Sequence, residues 1–393
     1  MYFLLLKDEV QGFIKAKTHE RLDSLAFKKN PFPEIEWKEI LTQIESRKKA
    51  EKKLPIWFYA SEILYPSKVN LEQTSSEITA SYKSNLIEGH SLIDLTGGFG
   101  VDDYAFSKKF LTVIHCELNQ TLSTIVKHNF KQLGVTNIQC QTGDSSEILE
   151  KTEQKFDWIY IDPSRRNNLK KKIFLLKDCS PNVPELLDFY FEYSDNILVK
   201  TSPLLDLSSG INELKNVAEI HIVATDNEVK ELLWILKKNY SEKIKIKAVN
   251  ITEEQTDSFE FNYGSETETL FGLPEIYLFE PNAAMMKSGG FSEIGEQFNL
   301  KKLHKHTHLY TSNELVNFYG RVFEIQEKIL FTKQNLKTFI KDKQANISVR
   351  NFPETVETLR KKWNIRDGGN QFVFFTTDLE NNKIILFCKK INL

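Results

Sequence analysis

Cysteine is scarce and scattered. The 393 residues hold four, Cys116, Cys140, Cys179 and Cys388, with no Cys-x-x-Cys pair. That spacing predicts neither a structural zinc site nor a disulfide framework, and the expected compartment is the cytoplasm. Long apolar runs are also missing. No stretch approaches the ~20 residues of a membrane span. The short start Met1-Tyr2-Phe3-Leu4-Leu5-Leu6 soon meets Asp8, so neither a signal peptide nor a membrane partner is expected. Acid is under-represented toward the end: from Phe291 onward 17 Lys+Arg face 11 Asp+Glu, about +6 within a chain of net charge −2. A basic tail on a mildly acidic body fits a polyanion-binding module or a solvated lysine-rich surface. His304, His306 and His308 alternate without an acid or cysteine pattern, so they read as a polar surface strand and no metal is expected.

One further absence decides the ligand. Ser91-Leu92-Ile93-Asp94-Leu95-Thr96-Gly97-Gly98-Phe99-Gly100-Val101-Asp102 is an apolar run ending in an acid, then a Gly-rich turn opening into a helix. That is the first strand–turn–helix of a nucleotide-binding α/β sheet. A dinucleotide fold wants a third small residue after Gly98 and Gly100, but Val101, Asp102 and Asp103 follow. A carboxylate then sits where a phosphate would want positive potential. S-adenosylmethionine, cationic at sulfur and free of phosphate, suits the turn better, and a nicotinamide oxidoreductase is disfavoured.

The length allows two or three domains. Residues 1–70 read as a helical lobe, and Thr74 or Ser75 caps a helix running to about Leu86. Strands then alternate with helices. Asp94, Glu117, Asp144 and Asp162 each follow directly on one of four successive strands. In an open α/β sheet those tips converge on one cleft. Later apolar segments at 196–200, 219–224 and 244–251 bring the sheet to about seven strands, mostly parallel.

At the tips, Glu117 can grip both hydroxyls of a ribose. Gly98 and Gly100 let backbone approach the cofactor, and Thr96 belongs to the same turn. Asp94 orients the methionine end, and Asp144 either receives the adenine amine or caps the next helix. Pro163 holds Asp162 extended, where its carboxylate can accept a hydrogen bond from an exocyclic amine. Ser164, Arg165 and Arg166, with Lys170-Lys171-Lys172, then make a basic rim suited to a nucleic-acid backbone.

These motifs resemble those of class I S-adenosylmethionine-dependent methyltransferases. Asp162-Pro163 resembles the Asp/Asn-Pro-Pro-aromatic motif of enzymes that methylate base amines, with Ser164 and Arg165 replacing its last two residues. Glu72-Gln73-Thr74-Ser75-Ser76-Glu77, the Asp-Pro-Ser-Arg-Arg run, Glu280-Pro281-Asn282-Ala283-Ala284, Val349-Arg350-Asn351-Phe352-Pro353 and Asp367-Gly368-Gly369 resemble an uncharacterised bacterial family. Its members join a methyltransferase domain to ferredoxin-like and THUMP-like regions, and the likeness spans about residue 50 to the end. It implies RNA modification, with Arg350 and Lys361 among the residues gripping RNA.

The expected fold class is α/β, a Rossmann-like class I methyltransferase sheet of about seven strands with an α-helical N-terminal lobe and a small α+β C-terminal domain. The expected divisions are the lobe at 1–70, the cofactor-binding domain at 71–270, a ferredoxin-like segment at 271–318 and a THUMP-like domain at 319–393. In this last part Val322, Ile325, Ile329 and Phe331 suggest an amphipathic helix, and a terminal hairpin follows. The expected activity is methyl transfer to a base nitrogen of structured RNA, tRNA or rRNA. A protein or small-molecule methyltransferase, and a non-catalytic RNA-binding protein that kept the fold, stay open.

Overall fold

Short apolar runs, Leu92-Ile93, Val113-Ile114, Trp158-Ile159-Tyr160-Ile161 and Ile197-Leu198-Val199, each closed by a polar residue, build the first sheet. The computed structural model describes residues 2–165 and 175–392, divided into two units, Met1–Ala218 with Leu232–Ser241 and Glu219–Glu231 with Glu242–Leu393.

The first unit contains β1 (Gly89–Asp94), β2 (Phe110–Glu117), β3 (Ile138–Thr142), β4 (Trp158–Ile161), the two-residue pair β5 (Ser164–Arg165) and β6 (Cys179–Ser180), and β7 (Asn196–Thr201). After β8 (Val217–Thr225), β9 (Glu228–Lys237) returns to it through Leu232–Lys237. The order is β3-β2-β1-β4-β7-β9. All pairs are parallel except β7–β9. A parallel sheet is covered on both faces, and Ile159, Tyr160 and Ile161 are accordingly all buried. The sequence pattern missed β9, because it follows β8 after only Asp226 and Asn227, with no helix between them, and so falls outside the strand–helix alternation.

Helices Asp8–Lys17, Leu22–Ala26, Trp37–Lys53 and Pro55–Tyr59 precede the sheet. Ile14, Leu25, Ile40, Ile44 and Trp57 share one core with Phe99, Val126 and Phe130. Trp57 lies 4.7 Å, centroid to centroid, from Phe99 of the Gly-rich turn. Asn129 accepts from Leu64 N at 3.0 Å and donates to Leu64 O at 2.8 Å. The lobe thus braces the turn that carries the site. The following helix, Glu77–Leu86, is capped by Ser76, whose hydroxyl accepts from Thr79 N, and not by Thr74 or Ser75.

The second unit contains most of β8, with β10 (Lys245–Ile251) parallel to it and β11 (Thr256–Asn262) antiparallel to β10. Its larger sheet has seven strands: β12 (Tyr277–Pro281), β13 (Lys301–His304), β14 (Thr307–Ser312), β15 (Gly320–Leu330), β16 (Asn346–Val349), β17 (Phe372–Thr377) and β18 (Lys383–Ile391). They lie in the order β13-β14-β12-β15-β18-β17-β16. Val373, Phe375, Ile385 and Phe387 face one core with Leu359 and Trp363, while Phe374, Ile384, Leu386 and Cys388 face another with Leu278 and Phe323. Burial on both faces explains the unbroken apolar runs of β17 and β18.

Two expectations are corrected here. Val322, Ile325 and Ile329 lie on β15, paired with β12 and β18, and Phe331 just follows it. The register slips between Ile325 and Glu327, and a bulge shifts the period-2 alternation by one residue, so the apolar spacing imitates a helix. His304, His306 and His308 do not share one surface strand. They fall on the β13–β14 hairpin, and His308 stacks on Phe291 with centroids 3.6 Å apart.

Candidate active site

The register of the first sheet sets the acids side by side. Asp94 lies opposite both His115 and Tyr160, and Glu117 opposite Thr142. Asp94 Oδ1 accepts from Thr96 N at 2.7 Å and from Thr96 Oγ1 at 3.1 Å. Thr96 Oγ1 in turn accepts from Asp162 N at 2.7 Å. One hydroxyl therefore ties the first strand tip to the fourth. Glu117 binds the second tip to the turn: Oε2 accepts from Gly98 N at 3.1 Å and Oε1 from Asn119 N at 2.6 Å. Both oxygens keep a lone pair, and the residue is only half-buried.

The two glycines differ. Gly98, at φ +54°, would carry a Cβ whose only near neighbour is Thr96 O at 3.7 Å, whereas a Cβ on Gly100 would strike Phe130 at 2.5 Å. Gly98 presents bare backbone where the ring of a ligand can approach. Gly100 is small for internal packing, a reason the sequence did not suggest. Asp144 is exposed and its carboxylate accepts from Ser146 N and Glu147 N, so it caps the helix Ser145–Glu150. Pro163 is buried, Ser164 is exposed and pairs through β5 with Ser180, and Arg165 continues that short strand. Arg166 and Lys170-Lys171-Lys172 lie outside the described residues. Arg350 and Lys361 belong to the second unit: Arg350 pairs with Glu280, and Lys361 is exposed on the helix Val356–Trp363.

Several residues here were not anticipated. Lys200, near the tip of β7, pairs with Asp162 Oδ2. It obeys the same strand-tip rule as the acids, and a search confined to acids overlooks it. Beneath the tips Asp102 accepts from Ser75 Oγ and Tyr160 OH, both at 2.8 Å, and faces Lys83 Nζ at 3.3 Å. Burial pushes the Asp102 carboxyl up, but Lys83 and Lys200 outweigh it and hold the group below the ordinary range. Asp102 is therefore balanced inside the protein; it does not act as a bare charge repelling phosphate. Burial, and after it Asp103, raises Asp94, and burial with Asp102 beside it raises Asp103. His115 Nδ1 lies 2.6 Å from Asp103 Oδ2, and burial lowers its pKa.

A parallel sheet with an antiparallel β9, a Gly-rich turn after β1 and an acid after β2 is the fold of class I S-adenosylmethionine-dependent methyltransferases. Residues 20–182 match a family described as conserved hypothetical protein 95, residues 277–318 a ferredoxin-like domain and residues 320–390 a THUMP domain-like family. A crystal structure of a candidate methyltransferase from Porphyromonas gingivalis W83 is 32% identical, with 99% of each chain covered and a TM-score of 0.88. The chain belongs to the family of that protein. M. capricolum TrmK, solved with S-adenosyl-homocysteine, is 14% identical over 41% of this chain and 68% of its own, with a TM-score of 0.33. Trm5b from Pyrococcus abyssi is 17% identical over 42% and 49%, with a TM-score of 0.31. No curated protein matches the chain. No described helix is long and apolar enough to cross a membrane.

Proposed function

We propose that this protein transfers a methyl group from S-adenosylmethionine to a base nitrogen of structured RNA, tRNA or rRNA. The observation that carries this is the joined pair of tips, Asp162 held by Thr96 through its backbone and by Lys200 through its carboxylate. When bound, S-adenosylmethionine supplies an electrophilic methyl with a good leaving group already in place. Glu117 would hold the ribose with its remaining lone pairs, and Gly98 would leave room for the adenosine. Asp94 and Thr96 would face the methionine end through Thr96, because Asp94 itself is 1% exposed. Asp144, engaged as a cap, keeps one oxygen for the adenine amine.

Asp162 is the positioning acceptor. Lys200 fixes one carboxylate oxygen, leaving the other to accept a hydrogen bond from the N–H of the base. That contact aims the nitrogen lone pair, and orientation supplies most of the catalysis such a reaction needs. The RNA assignment draws on the THUMP-like region and the basic tail.

The test is transfer of labelled methyl to total RNA from cells lacking the gene, with Asp162→Ala alongside. Label in RNA, reduced about 10²-fold by the substitution, is the expected result. Cofactor binding without label in RNA redirects the search to protein or small-molecule acceptors; no cofactor binding overturns the enzyme assignment. Glu117→Ala should cost about 1.5–3 kcal/mol of cofactor affinity by calorimetry, the scale of a hydrogen bond to a charged group.

A further inference from the structure

The second unit contains a cleft of about 920 Å³ that methyl transfer leaves unused, and its two walls carry opposite charge. One wall is the seven-stranded sheet. Glu280 of β12 stands opposite Arg321 of β15, Arg350 follows β16, and Lys390 lies on β18 opposite Phe323. The Glu280 carboxylate accepts from Arg321 Nε at 2.6 Å and from Arg350 at 2.7 Å, on different oxygens. The acid side chain is 5% exposed, the two arginine side chains 39% and 41%. Beyond Glu280, Arg350 donates to Val349 O and Arg321 to Ser348 Oγ. A guanidinium has five donors, so each keeps several for a ligand. Lys390 makes no ion pair among the described residues. Three cations against one acid leave this wall at +2. Gly320 makes the arrangement possible: a Cβ there would lie 2.2 Å from Glu280 O, so only glycine lets β15 begin this close to β12.

The other wall carries four carboxylates, Asp226, Glu253, Glu254 and Asp257. It is braced from within. Asn227 N donates to Asn250 Oδ1 at 2.8 Å, and Asn227 Oδ1 accepts from Ala283 N at 2.7 Å. Asp226 and Asn227 hold positive φ, +50° and +63°, a turn conformation these residue types tolerate. Pro281, Ala283 and Met286 add apolar surface.

A groove that follows a nucleic-acid backbone is basic along its length; this one is basic at one end only. Its ligand must be anionic at one end and rich in hydrogen-bond donors at the other. Two guanidiniums and a lysine suit the several oxygens of a phosphate better than the two of a carboxylate. The volume is ample for a single nucleotide. We propose that this cleft binds one nucleotide, with the phosphate on Arg321, Arg350 and Lys390 and an amino-bearing base turned toward the acidic wall. The nucleotide is either free or an unpaired residue of an RNA strand.

Calorimetry on the full chain saturated with S-adenosyl-homocysteine, which occupies the proposed cofactor site, keeps this separate from methyl transfer. AMP should bind about tenfold or more tighter than adenosine and tighter than UMP, whose base lacks an exocyclic amine. Lys390→Ala, at an exposed position, should weaken AMP about threefold to tenfold with adenosine unchanged and the melting temperature kept. Arg350→Lys, which keeps the charge but loses the fork, should also weaken AMP. Competition by a short adenylate oligonucleotide would identify an RNA residue as the ligand; AMP binding without such competition would identify a free nucleotide, and both support the site. Equal affinity for AMP and adenosine, no AMP binding, or a lysine-containing peptide with a free carboxylate binding more tightly than AMP would overturn it.

Discussion

Asp102 in the first unit and Glu280 in the second are both carboxylates withdrawn from water among positive charge, but their cations are placed differently. Lys83 has no exposed side-chain surface and Asp102 keeps 12%; Ser75 and Tyr160 complete the shell. Asp102 Oδ2 takes both hydrogen bonds and Oδ1 faces Lys83, so the charge is met inside and the pair fastens the helix Glu77–Leu86 to the helix Val101–Phe106. Glu280 is buried further still, at 5%, yet Arg321 and Arg350 reach solvent with donors to spare. The first arrangement is sealed and structural. The second is an anchored donor set facing outward, the form a binding site takes.

Substitutions can break this contrast, beginning with the largest expected effect. Lys83→Met removes the cation paired with Asp102 in the interior and should cost about 3–5 kcal/mol. Denaturant unfolding measures it, and a loss below about 1 kcal/mol would mean the sealed pair is not what holds those helices. Glu280→Gln should cost less, about 1–3 kcal/mol, because both guanidiniums can turn to water. A cost equal to that of Lys83→Met would erase the distinction. Ser75→Ala removes one hydrogen bond to Asp102 and should cost about 1 kcal/mol; no change would show that Lys83 and Tyr160 suffice.

The smallest effect is one of sign. Burial, then Asp102, holds Asp103 above the ordinary carboxyl range, while at Asp102 burial is outweighed by Lys83 and Lys200. Asp103 thus contributes stability that is present below about pH 4, the unfolded-state value, and lost as pH rises through its folded value. Asp102 contributes stability present above about pH 4 and lost as pH falls through its depressed folded value. Unfolding measured from roughly pH 3 to 8 should therefore show the parent losing ground to Asp103→Asn as pH rises, and to Asp102→Asn as pH falls. The same sign for both variants would refute the division of charge between these neighbours.

How far the site was legible depended on whether a residue's role was local. Asp94, Glu117 and Asp162 could be found because each ends an apolar run, and strand tips of one parallel sheet meet. Lys200 sits at such a tip too, but only its contact with Asp162 gives the lysine a meaning. Gly98 and Gly100 look alike in sequence; Phe130, thirty residues on, separates their roles. Ser75 reads as a helix cap until the fold brings Asp102 to it. The β15 bulge turned a strand into an apparent helix because the slip in alternation comes from pairing with β18, beyond the reach of any local period.

By itself the sequence determined the α/β alternation, the acids at the strand ends and the Gly-rich turn, since these depend on residues a few positions apart and on backbone preferences that travel with them. Tertiary structure alone decided that Thr96 joins Asp94 to Asp162, that Lys83 is sealed against Asp102, and that Glu280 gathers Arg321 and Arg350 from 41 and 70 residues away. Those are matters of charge and hydrogen bonding across long loops. A buried polar group must find its partner wherever folding brings one, and nothing near it in the chain says which.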